Sequence, residues 1–137
     1  MANTTYFKNL VAGNLFHIDA SNAVPASYYL GLSSTEPQAD GTGATEPAGD
    51  GSGYARVLLN GLGNLTDGKV SNTAEITFPK SITEWFSAAA PATYFAVYDG
   101  DTQDANLLFY GQLTDSRIIQ TNTYARWPSG AIEIQVI

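Results

Sequence analysis

The chain has no cysteine among its 137 residues, which excludes a disulfide framework and a thiolate metal site. That fits assembly in a reducing host cytoplasm. Cations are scarce: six Lys and Arg against thirteen Asp and Glu, a net charge of −7. So acidic a chain is a poor ligand for phosphate backbones, and no nucleic-acid partner is expected. No stretch approaches the ~18–20 continuous apolar residues of a membrane span, so no membrane partner is expected either. The first residues hold one lysine and no long apolar run, so they do not read as a secretory signal. Histidine is also nearly absent. The single one, His17, has no nucleophile motif near it, and a serine-type hydrolase needs a base beside its nucleophile. No P-loop or dinucleotide fingerprint is present, and no cofactor is expected. The many acids sit mostly in Gly-rich stretches, a poor frame for a glycosidase pair. The chain therefore reads as a non-enzyme.

Residues 4–18 have the spacing of an amphipathic helix, with Phe7, Leu10, Val11, Leu15 and Ile18 recurring and Thr4 or Thr5 as cap. Such a helix either covers one end of the core or docks a neighbouring subunit. Strand signals follow at Ser27–Leu32, Tyr54–Leu59, Asn72–Phe78, Thr93–Tyr98, Leu107–Leu113 and Ile132–Val136. In the third, Ala74, Ile76 and Phe78 alternate with polar residues. The stretch 82–90, around Trp85 and Phe86, is compatible with a short helix. Short strands between Gly, Asn and Asp turns predict one mainly β domain over 1–137, an antiparallel sandwich or jelly-roll-like fold with an N-terminal helix. Its expected core is Leu30, Leu32, Ile76, Phe78, Phe95, Val97, Leu108, Tyr110, Ile132 and Ile134.

Residues 33–53 have no large apolar side chain and hold a ten-residue near-repeat. Thr35-Glu36-Pro37 with Asp40-Gly41-Thr42-Gly43 returns as Thr45-Glu46-Pro47 with Asp50-Gly51-Ser52-Gly53. Long structureless loops are uncommon in compact domains. Ordering one costs on the order of 1 kcal/mol per residue, and this one has little apolar surface to offset that. The expectation is that a subunit contact orders it, with Asp40, Gly41, Asp50 and Gly51 at the interface. Arg56, where the loop ends, would either hold an acidic loop residue such as Asp50 or Asp40 by a charge-assisted bond or stand as a solvated strand-end arginine. Asp99, Asp101 and Asp104 are weak calcium candidates, because Asp-Gly-Asp is also simple hairpin chemistry. Trp85 and Trp127 are candidate stacking surfaces for a host-surface glycan, although aromatic side chains more often serve a core.

Several ordered stretches together resemble a family of small tailed-bacteriophage proteins usually described as tail fibre or minor tail proteins. They are Tyr29-Leu30-Gly31-Leu32, Asp40-Gly41-Thr42-Gly43, Gly53-Tyr54-Ala55-Arg56, Asn72 with Ile76-Thr77-Phe78-Pro79, Trp85, Phe95-Ala96-Val97-Tyr98-Asp99 and Asn106 to Leu113. The loop repeat is longer than that pattern, and Tyr124 to Trp127 stands where it has smaller residues. The resemblance implies a non-enzymatic virion component, first a tail-fibre or tail-associated subunit. A capsid decoration, head-fibre or neck protein is the alternative, and a carbohydrate-binding receptor module is one of another class. It implies other virion proteins as partners and a homo-oligomer, a trimer first.

Overall fold

A computed structural model describes residues 2–18 and 23–136. The mainly β architecture with a single N-terminal helix is as expected, and the strands fall into three antiparallel sheets. The largest has five strands: β1 (Ala2–Asn3), β8 (Leu107–Arg117), β7 (Ala92–Tyr98), β2 (Tyr29–Ser33) and β3 (Val57–Leu58), in that spatial order. A second joins β10 (Glu133–Gln135), β5 (Lys69–Asn72) and β4 (Leu62–Thr66). The third pairs β6 (Ile76–Thr77) with β9 (Arg126–Trp127).

Alternation along the strands sets the layers, because successive side chains leave opposite faces. Leu30, Leu32, Phe95 and Val97 enter the main core, which Ile76, Phe78, Trp127, Ile132 and Ile134 fill from the other sheets. Ala96 and Tyr98 fall on the opposite face, in a small second cluster with Leu107. Nine of the ten expected core residues are buried; Tyr110 is half-buried, packed against that second cluster instead.

Helix α1 spans Thr5–Leu15. Thr4 caps it, accepting from the Phe7 amide at 3.2 Å while its hydroxyl donates to the Leu107 carbonyl at 2.6 Å. One buried hydroxyl thus satisfies an orphan helix donor and ties α1 to β8. The helix is shorter than its apolar spacing predicts. His17 turns left-handed at φ 55°, and the Ile18 amide reaches back to the Gly13 carbonyl at 3.0 Å. This closes a Schellman-type cap. Leu15 and Ile18 lie outside the buried face, which ends at Gly13.

Three further expectations change. The 72–78 alternation is broken by a bend at Thr73–Ala74 that leaves Ala74 exposed, so its two ends belong to different sheets. Asn72, fully buried, holds that break: it donates to the carbonyls of Ala74 at 2.7 Å and Pro128 at 2.9 Å and accepts from Ile132. Residues 82–90 are not helical, and Phe86 bridges Ile119 instead. The β4–β5 hairpin was not expected, although Asp67-Gly68 signals it. Both residues have positive φ, 53° and 76°, as a type I′ turn requires.

Candidate functional site

The 33–53 loop folds on itself. Ser33, fully buried at the end of β2, accepts from the Thr45 amide at 2.8 Å, and the Thr35 and Thr45 hydroxyls bond each other at 2.8 Å. The first residues of the two repeats are therefore paired side by side. Each repeat then turns at matching glycines, Gly41 and Gly43 at φ 88° and Gly51 and Gly53 at 73° and 79°. At Gly53 a side chain would also meet the Lys80 carbonyl, 2.8 Å from where its Cβ would stand. Asp40 accepts from the amide and hydroxyl of Thr42, which hold its carboxyl below the usual range. Three ties fasten the loop to the body. Pro37 is fully buried, the Thr5 amide donates to Ala39 at 2.9 Å, and the Trp85 indole donates to the Ser52 carbonyl at 2.8 Å.

The repeats diverge at their glutamates. Glu36 is exposed, whereas Glu46 turns inward to Arg56. Arg56 grips it with two nitrogens, Nη2 at 2.7 Å and Nε at 3.1 Å, and Tyr54 donates its hydroxyl to the same carboxylate at 2.5 Å. The remaining guanidinium nitrogen bonds the carbonyls of Gly100 and Thr102. The guanidinium carbon stands 3.4 Å from the centre of the Tyr98 ring, within cation–π range. The Tyr54 oxygen also accepts from the Leu32 amide at 3.0 Å. Gly31 makes room for this node: a Cβ there would lie 2.6 Å from a Glu46 carboxylate oxygen.

The cluster is electrostatically closed. Burial and then the Glu46 charge push the Tyr54 phenol well above its usual range, and the same two causes raise Tyr98 to about 12. Burial works against the charge of Arg56, but the bonds to Glu46 and its charge outweigh it and raise that group further. An open groove of about 550 Å³ lies along the loop, floored by Tyr54, Arg56 and Tyr98 and walled by residues 41–49 with Asp101 and Gln103. Four of the five N–H groups of Arg56 already have partners in its own chain.

The partner of Arg56 is thus Glu46, not Asp40 or Asp50. The sequence shows that Tyr54 and Arg56, two apart on an extended segment, can address one carboxylate, but not which one. Asp40, Gly41, Asp50 and Gly51 lie exposed on the outer rim of the loop. Bonds within the chain already tie the loop down at Ser33, Ala39, Glu46 and Ser52. Asp99 spends both carboxylate oxygens on Asn106, at 2.7 and 2.9 Å. Asp101 and Asp104 are exposed, and no three acidic or histidine side chains converge among the described residues. Trp85 and Trp127 are only 7% and 4% exposed. They edge onto Phe78 in the core and offer no open face to a sugar.

These features define a β-rich structural module whose most prominent surface element is a loop clamped by a buried ion pair. The chain belongs to the bacteriophage family described as podophage GP4 fiber I protein gp80, whose model matches residues 2–135. It is thus a structural phage protein of a fibre family and a component of the virion. No curated protein matches the sequence. Among the described residues no helix is long and apolar enough to cross a membrane.

Proposed function

We propose that the protein is a non-enzymatic subunit of a tail fibre or tail-associated structure, working as a closed-symmetry homo-oligomer attached to other virion proteins. The observation that carries this reading is the fibre-family match across residues 2–135. The clamped loop supports it physically. A segment held by Glu46, Arg56, Pro37 and Trp85 keeps its shape before any partner arrives, which lowers the ordering cost of assembly. Recognition of a host glycan gains no support from Trp85 and Trp127, whose rings are internal.

Mass spectrometry of purified virions, with antibody labelling seen by electron microscopy, tests the assignment. The protein is expected in particles, with label at the tail. Label confined to the capsid would move it to a head fibre or decoration, and absence from particles would overturn the reading.

A further inference from the structure

Asparagine is thermolabile, because the backbone nitrogen of the next residue can attack its side-chain amide. The attack needs a next residue without a side chain in the way, an amide not tied to an acceptor, and water. Of the nine asparagines in the chain, Asn60 is the one that precedes a glycine. Asn60 and Gly61 are both exposed. Among the described residues the Asn60 side chain makes no hydrogen bond and the Gly61 amide has no acceptor. Other asparagines are shielded. Asn72 is fully buried with both ends of its carboxamide bonded, and Asn106 donates to Asp99 at 2.9 Å. Asn122 is as exposed as Asn60, but the amide after it, that of Thr123, donates to the Ser81 hydroxyl at 2.9 Å.

The fold itself requires glycine at position 61. Its φ is 66°, and a Cβ there would stand 2.8 Å from the Thr73 hydroxyl oxygen. The Gly61 carbonyl accepts from the Thr73 amide at 2.9 Å and from the Thr73 hydroxyl. These bonds pin the chain where it passes from β3 of the five-stranded sheet to β4 of the three-stranded one. The residue that cannot shield its neighbour is thus fixed beside an open asparagine, at the joint between two sheets.

We infer that Asn60 is a site of spontaneous covalent modification, deamidating through a cyclic imide formed with Gly61. The Gly61 nitrogen gives its proton to hydroxide and bonds to Asn60 Cγ. The Cγ–Nδ2 bond breaks, and the side-chain nitrogen leaves as ammonia with a proton returned by water. A second water opens the imide at either carbonyl, giving aspartate or isoaspartate. The net change is amide and water to carboxylate and ammonium, with no redox step. Both products add a negative charge. Isoaspartate also adds a methylene to the main chain just ahead of Gly61, which loosens the tie to Thr73. The inference is independent of the fibre assignment.

Peptide mass spectrometry of the full chain, sampled during incubation in warm, mildly alkaline buffer, tests it. Conversion at Asn60 should be at least about tenfold faster than at Asn64 or Asn122, which are exposed but lack the following glycine. Isoaspartate should appear at position 60 together with aspartate, because only the imide yields both. The N60Q variant, whose longer side chain disfavours the ring, should stay unmodified there. The folded rate should lie within about tenfold of the rate in urea, since the site needs no opening. The aged chain should melt below fresh N60D, which has the charge without the added methylene. Conversion no faster than at Asn64 or Asn122, aspartate without isoaspartate, equal conversion in N60Q, or strong protection by folding would each overturn the inference. Equal melting of the aged chain and N60D would overturn the stated effect on the joint.

Discussion

Glu46 and Arg56, ten residues apart in the chain, meet in a two-pronged ion pair with 16% and 8% of their side chains exposed. Removing one partner of so sheltered a pair strands the other charge, which costs about 3–5 kcal/mol. Arg56→Ala and Glu46→Ala should each lower stability by that order in urea titrations. Glu46→Gln, which keeps the acceptor for Tyr54, should cost less than Glu46→Ala. Equal losses for the two Glu46 variants would mean that the hydrogen bonds contribute nothing.

The same cluster predicts sensitivity to alkali. The phenols of Tyr54 and Tyr98 titrate higher in the folded chain than in the unfolded one, Tyr98 at about 12. The folded state therefore binds more protons in this range, and stability falls as pH rises. The contribution is complete below about pH 10, the ordinary phenol value, and is lost as pH passes through about 12. Melting temperatures between pH 9 and 12 should drop along that course, less steeply in Glu46→Gln, which lacks the carboxylate charge. A flat profile between pH 10 and 12 would contradict the burial of these phenols.

Phe78 is 1% exposed and lies among Tyr54, Trp85 and Trp127. Phe78→Ala should cost about 3–5 kcal/mol through lost burial and the cavity left behind. A loss under about 1 kcal/mol would show that the surrounding aromatic rings collapse into the space.

His17 holds a left-handed conformation, φ 55°, at the helix-ending position where glycine is usual. His17→Gly removes the clash of the side chain with the backbone and should stabilise the fold by about 0.5–1 kcal/mol. Thermal unfolding of the two proteins side by side gives the comparison. Destabilisation would mean that the imidazole itself supports the cap.

Strands β7 and β8 were legible as apolar, aromatic-rich runs, and β10 from the alternation of Ile132, Ile134 and Val136 with Glu133 and Gln135. Periodicity carried the helix past Leu15 because it reports spacing and not the left-handed turn at His17. The Asn72–Phe78 run looked like one strand because a bend at Ala74 leaves no mark in an alternating pattern. Asp67-Gly68 did carry its turn, but the flanking segments Leu62–Thr66 and Lys69–Asn72 are too polar to stand out. At the candidate site, Arg56 could be recognised as a clamp from its place at the loop end. Its partner could not, because the two repeats offer equivalent glutamates and only the folded chain distinguishes Glu46 from Glu36. Trp85 and Trp127 illustrate the opposite difficulty: a tryptophan beside polar residues reads alike as platform or core until its burial is known.

Gly31 sits in the middle of β2, and the space above its hydrogen is filled by Glu46 of the loop. Positions 31, 46 and 56 are consequently coupled through space. A relative that acquires any side chain at position 31 must move or shorten residue 46, and a relative without the position-46 acid leaves an arginine at position 56 with only the carbonyls of residues 100 and 102 and the ring at position 98. The strand thereby carries an imprint of the loop, and the pairing of these three positions across related phages would record which lineages keep the clamp and which have replaced it.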